Sequence, residues 1–257
     1  MSYLANKIDT VRGYWRQLRI IREINRSRVL NGDRLEADTP LPQRYGIGLH
    51  ERVIEILYVY SLYDPSESIL DVGCSNVMPC HRHALKELGA KDNVVGLDIV
   101  ECTFTYRKFY KNIMIADIQD VDVDQYGFDQ IWCISTLEHV GMDNSKYGVN
   151  TILDSNAAER AMVKMANLLN PKGSLFVTLP FGLLENHGWL KNYDKESVQR
   201  LLAGTREQFS RIEKFYFKYG DEQGWERSDD LALAGTRYYD GGNGGTAGLC
   251  CLFLQKQ

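Results

Sequence analysis

Ser68-Ile69-Leu70-Asp71-Val72-Gly73-Cys74-Ser75-Asn76-Val77 decides the fold of this 257-residue chain. An apolar run ends on an acid, a glycine allows a tight turn, and small residues lead to Pro79, which suits the first position of a helix. In an open α/β sheet a strand, turn and helix of this kind leave a ligand site at the strand's carboxyl end. A second strand pattern, Val94-Val95-Gly96-Leu97-Asp98, also ends in an acid, placed to accept hydrogen bonds from ribose hydroxyls.

Working outward, helical and strand periodicities alternate. Helices are expected at about 49–62, 79–89, 154–169 and 194–203, and strands at 68–73, 93–98, 112–116, 128–134, 173–179, 209–219 and 248–255. The expectation is an α/β, Rossmann-like doubly wound, mostly parallel seven-stranded sheet. No crossover helix separates the last two strands, so the final strand is expected to be antiparallel. The connection from Tyr219 to Ala247 is long and ends in Asp240-Gly241-Gly242-Asn243-Gly244-Gly245, which suits either a binding loop or a structural insertion.

Residues 1–45 read as a separate N-terminal extension and 46–257 as one domain. Lys7, Arg12, Arg16, Arg19, Arg22, Arg26 and Arg28 face only Asp9 and Glu23 in charge, while Ile8, Val11, Trp15, Leu18 and Ile21 recur at helical spacing. That basic amphipathic helix suits peripheral contact with an anionic membrane, a cap over a phosphate-bearing substrate, or simple packing on the domain. Asn31-Gly32-Asp33 reads as its stop, and Glu36 to Arg44 as a linker.

Composition narrows the function classes. With 44% apolar and 25% charged residues the chain is an ordinary globular protein, and its formal net charge of −4 offers no global attraction to nucleic acid. The longest apolar run, Val53 to Tyr63, contains Glu55 and is too short to span a bilayer. The first thirty residues do not read as a secretory signal, so a cytoplasmic location is expected. Cysteines 74, 80, 102, 133, 250 and 251 form no C-x-x-C pair and are expected to be reduced and mostly buried.

The glycine count separates two nucleotide cofactors. A dinucleotide needs further glycines for its pyrophosphate and for helix packing, and Ser75 and Met78 hold those places. An adenosyl group without phosphate makes no such demand. At this point Asp71-Val72-Gly73-Cys74-Ser75, Asp98, Ala116-Asp117-Ile118, the run Phe128 to Ser135 and the run Leu168 to Thr178 resemble, in order and spacing, the successive motifs of class I S-adenosylmethionine-dependent methyltransferases. The resemblance spans about residues 48–255. The family's usual second and third glycines are replaced by Ser75 and Val77. The stretch from Ser135 to Gly148 is also similar to bacterial methyltransferases of surface-sugar and secondary-metabolite pathways.

The resemblance implies S-adenosyl-L-methionine as cofactor. It implies that Asp71, Gly73 and Ser75 bind the methionine end, that Asp98 and Ile99 bind the ribose side, and that Asp117 and Ile118 bind the adenine. Ser135 and Leu137 are implied to line the methyl-donor side. Methyl transfer from a sulfonium requires alignment and, for a hydroxyl acceptor, a base. His139 is the candidate base, with Glu138 orienting it or sharing the role. Asp143, Lys146, Tyr147 and His187 are candidates for the acceptor side.

Glu138-His139 is similar to a metal-binding pair of some O-methyltransferases, but Ser135 stands where those families carry another glutamate, and no metal is expected. His81 and His83 are read as surface residues. The leading expectation is O-methylation of a sugar or other small molecule, conceivably nucleotide-linked, with no nucleic-acid partner. The alternatives are a catalytically silent cofactor-binding or partner subunit, and an RNA-directed methyltransferase.

Overall fold

The computed structural model describes residues 3–31, 39–101, 104–149 and 152–257. The expected helix stop at Gly32 and Asp33, the start of the linker at 36–38, and Cys102 lie outside the described residues, as do the side chains of residues 3–14.

The elements run α1 (Tyr3–Asn31), α2 (Arg52–Leu62), β1 (Ile69–Val72), α3 (Pro79–Leu88), β2 (Val94–Asp98), α4 (Phe104–Arg107), β3 (Asn112–Ile115) and β4 (Phe128–Cys133). Then follow α5 (Ala157–Leu168), β5 (Leu169–Pro180), α6 (Lys195–Ala203), β6 (Phe209–Gly220), β7 (Gly224–Ser228), α7 (Asp230–Leu233) and β8 (Gly248–Lys256). One sheet takes the order β3-β2-β1-β4-β5-β8-β6-β7. β1 to β5 are parallel, and β8 lies antiparallel between β5 and β6.

The final strand thus has the expected direction, but the sheet has eight strands rather than seven. The additional strand, β7, comes from the long Tyr219–Ala247 connection, which turns back at Gly220–Gly224 and pairs antiparallel with β6. The glycine-rich end of that connection is docked: Gly242 N–H donates to Asp221 at 2.9 Å and Thr246 N–H to Glu51 at 3.3 Å.

Strand alternation divides the core into two layers. Ile69, Trp132, Phe176, Leu249 and Cys251 face the layer built with α1, α2 and α3. Leu70, Ile131, Cys133, Val177, Cys250 and Leu252 face the layer built with α5 and α6. Cys250 and Cys251 therefore point to opposite faces of the sheet, and Cys74, Cys80, Cys133, Cys250 and Cys251 are all buried. Burial pushes the thiols of Cys80 and Cys250 up to about 12, which keeps them protonated and unreactive at neutral pH.

The N-terminal helix belongs to this packing. Ile20 and Ile24 are buried in the first layer. The arginines beside them act within the fold: Arg16, Arg19 and Arg26 donate to the carbonyls of Gly48, Ile47 and Gln43, and Arg28 pairs with Glu87 at 3.0 Å. Gln17 accepts from Cys80 N–H in the first turn of α3. Among the described residues no helix is long and apolar enough to cross a membrane.

Candidate cofactor and active site

A cavity of about 430 Å³ opens at the carboxyl ends of β1, β2 and β4 and beside the turn that follows β3. Such a volume falls in the range of small-molecule and cofactor pockets. Asp71, Gly73, Asp98, Ile99, Asp117, Ile118, Ser135, His139 and Tyr147 all line it. Gly73 makes the cavity's floor. Its φ of 89° is left-handed, and an added Cβ would stand 2.7 Å from Thr136 Cγ2 and closer still to Oγ1. Only glycine fits that turn without strain.

The acids are held by the backbone around them. Asp98 accepts from Ser75 N–H at 2.8 Å through one oxygen and from Val100 N–H at 3.0 Å through the other. A carboxylate has about four acceptor positions, so both oxygens keep capacity for a ligand. Ser75 lies behind this contact, with its hydroxyl donated to the Val100 carbonyl at 2.8 Å. Asp117 caps the 3-10 turn Ile118–Asp120 by accepting from Gln119 N–H at 2.9 Å. Asp71 is buried and accepts from the Tyr110 hydroxyl at 2.7 Å.

Two residues differ from their sequence reading here. His81, read as a surface residue, is 4% exposed, lines the cavity and sits 3.3 Å from Asp71. The first turn of α3 packs against the end of β1, which turns one histidine of the pair inward and leaves His83 exposed. Leu137, expected on the methyl-donor side, is fully buried in the α5–α6 layer and is not among the lining residues.

Sequence reasoning missed a buried polar cluster on α2. Glu55 is fully buried and accepts from Ser135 Oγ at 2.7 Å, from Thr178 Oγ1 at 2.5 Å and from Arg52 Nη1. Arg52 Nη1 also donates to Ser135 Oγ. Burial works against the guanidinium's charge, but Glu55, Glu51 and Glu138 more than offset it and hold the pKa above its usual value. Arg52 lines the cavity, and Nη1 carries its side-chain hydrogen bonds among the described residues. Ser135 itself has a φ of 42°, an uncommon left-handed conformation for a residue with a side chain. The signal was present in the sequence as an i, i+3 Arg-Glu pair opening an otherwise apolar run.

His139 lines the cavity from the 3-10 turn Leu137–His139 that follows β4. Its Nδ1 is 2.7 Å from the Trp189 carbonyl oxygen. The imidazole stacks on the Trp189 indole, with ring centroids 5.2 Å apart, and meets Tyr147 edge-on at 5.5 Å. Burial lowers its pKa from the ordinary 6.5 against the raising effect of the Trp189 hydrogen bond. Glu138 is buried beside it, with Oε1 3.9 Å from His139 Nε2 and Oε2 without a hydrogen-bond partner among the described residues. Burial pushes the Glu138 carboxyl up to about 8, and Glu55 adds to the effect.

The remaining acceptor-side candidates are dispersed. Asp143 is exposed and caps Ser145 N–H at 2.9 Å, and Lys146 lies over the Trp189 ring at 3.5 Å. His187 is not among the residues lining the cavity. It sits 3.6 Å from Glu185 and packs against Tyr238 and Tyr239. Among the described residues no group of three His, Cys, Asp or Glu side chains is arranged to hold a metal ion.

No family model matches the chain, and no curated protein matches it. Solved structures do. The chain is similar to a SAM-dependent methyltransferase from Archaeoglobus fulgidus, at 13% identity and a TM-score of 0.51, over 78% of this chain and 91% of that one. It is also similar to the 1,6-didemethyltoxoflavin-N1-methyltransferase of Burkholderia thailandensis, at 12% identity and a TM-score of 0.44, over 74% and 71% of the two chains. The first likeness agrees with the strand order: the chain has the fold of class I S-adenosylmethionine-dependent methyltransferases.

Proposed function

We propose that this protein is an S-adenosylmethionine-dependent methyltransferase acting on a hydroxyl of a sugar or other small molecule, with His139 as general base. The observation that carries the reading is one cavity lined at once by the Gly73 turn, by the acids Asp98 and Asp117, and by an imidazole with a depressed pKa.

The residues present fit the cofactor. A Cβ at position 73 would overlap Thr136, itself a lining residue, so only glycine leaves this part of the cavity wall undisturbed. Asp71 and Gly73 would hold the methionine amino group, and Arg52 would hold its carboxylate. Asp98 would accept from the ribose hydroxyls and Asp117 from the adenine amino group, with Ile99 and Ile118 supplying apolar lining. Ser75 supports this site through Asp98 rather than by lining it. When bound, S-adenosylmethionine supplies a methyl group on a positively charged sulfur that is already a good leaving group.

The chain's own contribution is alignment and proton removal. A neutral imidazole at the cavity wall takes the hydroxyl proton as the oxygen becomes nucleophilic. Glu138, held protonated at neutral pH by burial, does not stabilise an imidazolium, so the ring rests in its neutral form. Tyr147, beside the imidazole, lines the cavity with aromatic surface, which suits the apolar face of a sugar ring.

The test is isothermal titration with S-adenosylmethionine and, in parallel, with NAD, followed by a methyl-transfer screen of nucleotide-sugars and glycan fragments. The expected result is binding of S-adenosylmethionine alone, lost in Asp98→Ala. His139→Ala is expected to keep cofactor affinity while slowing transfer at least tenfold. No binding of S-adenosylmethionine would overturn the reading, and undiminished turnover of His139→Ala would remove the base.

A further inference from the structure

The short antiparallel hairpin formed by Glu185–Asn186 and Lys191–Asn192 carries Trp189 at its tip. Three features bind this tip to the loop that holds His139. The Trp189 carbonyl oxygen is 2.7 Å from His139 Nδ1, the indole stacks on the imidazole with 23° between the planes, and Asp143 N–H donates to the Gly188 carbonyl at 3.0 Å. Lys146 Nζ also lies over the indole, 3.5 Å from a ring centroid.

A carbonyl oxygen only accepts, so the short contact requires a proton on Nδ1. In the neutral ring the lone pair is then on Nε2. Nε2 has no hydrogen-bond partner among the described residues, Glu138 Oε1 being 3.9 Å away. His139 also lines the cavity. An unconstrained neutral imidazole favours the opposite form, with the proton on Nε2, which cannot accept a proton at that atom. The hairpin therefore selects the tautomer that a base needs.

We propose that Trp189 is the positioning residue of the reaction: its carbonyl keeps the proton on Nδ1 of His139, and its indole holds the ring plane so that the Nε2 lone pair meets the acceptor. This rests on the reading of His139 as the base. The charged and titratable groups around the ring are Glu138, Arg52, Lys146 and Tyr147. None of them is within hydrogen-bond distance of Nδ1, which leaves the Trp189 carbonyl as its partner.

The test is nitrogen-15 NMR of the full chain labelled at histidine, without cofactor or acceptor, with the His139 ring assigned from its loss in His139→Gln. The expected spectrum near pH 7.5 has a protonated Nδ1 and an unprotonated Nε2. Trp189→Ala keeps the main-chain carbonyl but removes the stack that holds the imidazole against it, so the Nδ1 contact loosens, both tautomers appear, and methyl transfer slows about tenfold in kcat with the KM for S-adenosylmethionine unchanged within twofold. Trp189→Phe, which restores a ring against the imidazole, recovers most of the rate and the Nδ1–H spectrum. A protonated Nε2 in the wild-type protein overturns the proposal whether or not Trp189→Ala folds, and so does a Trp189→Ala protein with wild-type spectrum and turnover. The spectrum is read without substrate, so the proposal fails separately from the methyltransferase assignment.

Discussion

Gly73→Ala is the sharpest perturbation the structure offers. The residue occupies φ 89°, and placing a Cβ in a left-handed conformation costs about 1–2 kcal/mol. The new methyl would also stand 2.7 Å from Thr136 Cγ2 and 2.9 Å from Cβ, and relieving overlap of that kind in a packed site costs roughly 1–3 kcal/mol. Thr136 cannot move freely, because its hydroxyl lies 2.9 Å from the Ile134 carbonyl and 3.1 Å from that of Val72. Losing that hydrogen bond adds about 1 kcal/mol.

The expected destabilisation is therefore roughly 3–6 kcal/mol, a large share of the ~5–15 kcal/mol that holds a typical domain together. Urea denaturation followed by tryptophan fluorescence measures it, with titration of S-adenosylmethionine on the folded fraction. Thr136→Ala in the Gly73→Ala background removes the overlap with Oγ1 and Cγ2 but not the φ cost, so the double variant should recover only part of the loss. A Gly73→Ala protein within about 0.5 kcal/mol of wild type, a change typical of surface substitutions, would refute the reasoning. Full recovery in the double variant would refute the φ component alone.

Two further predictions concern the buried charges. Glu55→Ala leaves the Arg52 guanidinium without its buried partner, and breaking such a pair costs about 3–5 kcal/mol; replacing both residues with Met and Leu should recover part of it in the same denaturation assay. Glu138 has a folded pKa of about 8 against an ordinary 4.5, so the folded chain holds a proton there that the unfolded chain releases. Its contribution is fully present below pH 4.5 and is lost as the pH rises through about 8. Denaturation at pH 5, 6.5 and 8 should show that decline, and Glu138→Gln should flatten it; an identical slope in the variant would place the titration elsewhere.

Much of the candidate site was legible because its determinants are local. Asp71, Gly73, Asp98 and Asp117 each stand at the end of a strand or in the turn after it, and apolar runs followed by an acid or glycine mark such ends in a sequence. The same local patterns predicted the parallel strands and the reversed direction of β8. The β7 strand was missed because Gly224–Ser228 has only Trp225 as a strong apolar residue and is held by its pairing with β6 rather than by its own pattern.

The succession of strands and the acids of the cavity were therefore determined by the sequence alone, since short stretches of chain encode them, whereas the lateral order of the strands was not. Tertiary structure alone decided which polar groups meet between distant segments. Arg52 reaches Ser135 across 83 residues of chain, Thr178 reaches Glu55 across 123, and the Trp189 carbonyl reaches His139 across 50. No periodicity encodes such separations. They arise when the packing of α2 against the sheet and of the 185–192 hairpin against the β4 loop removes water from polar groups, which then hydrogen-bond to whatever the fold has brought beside them.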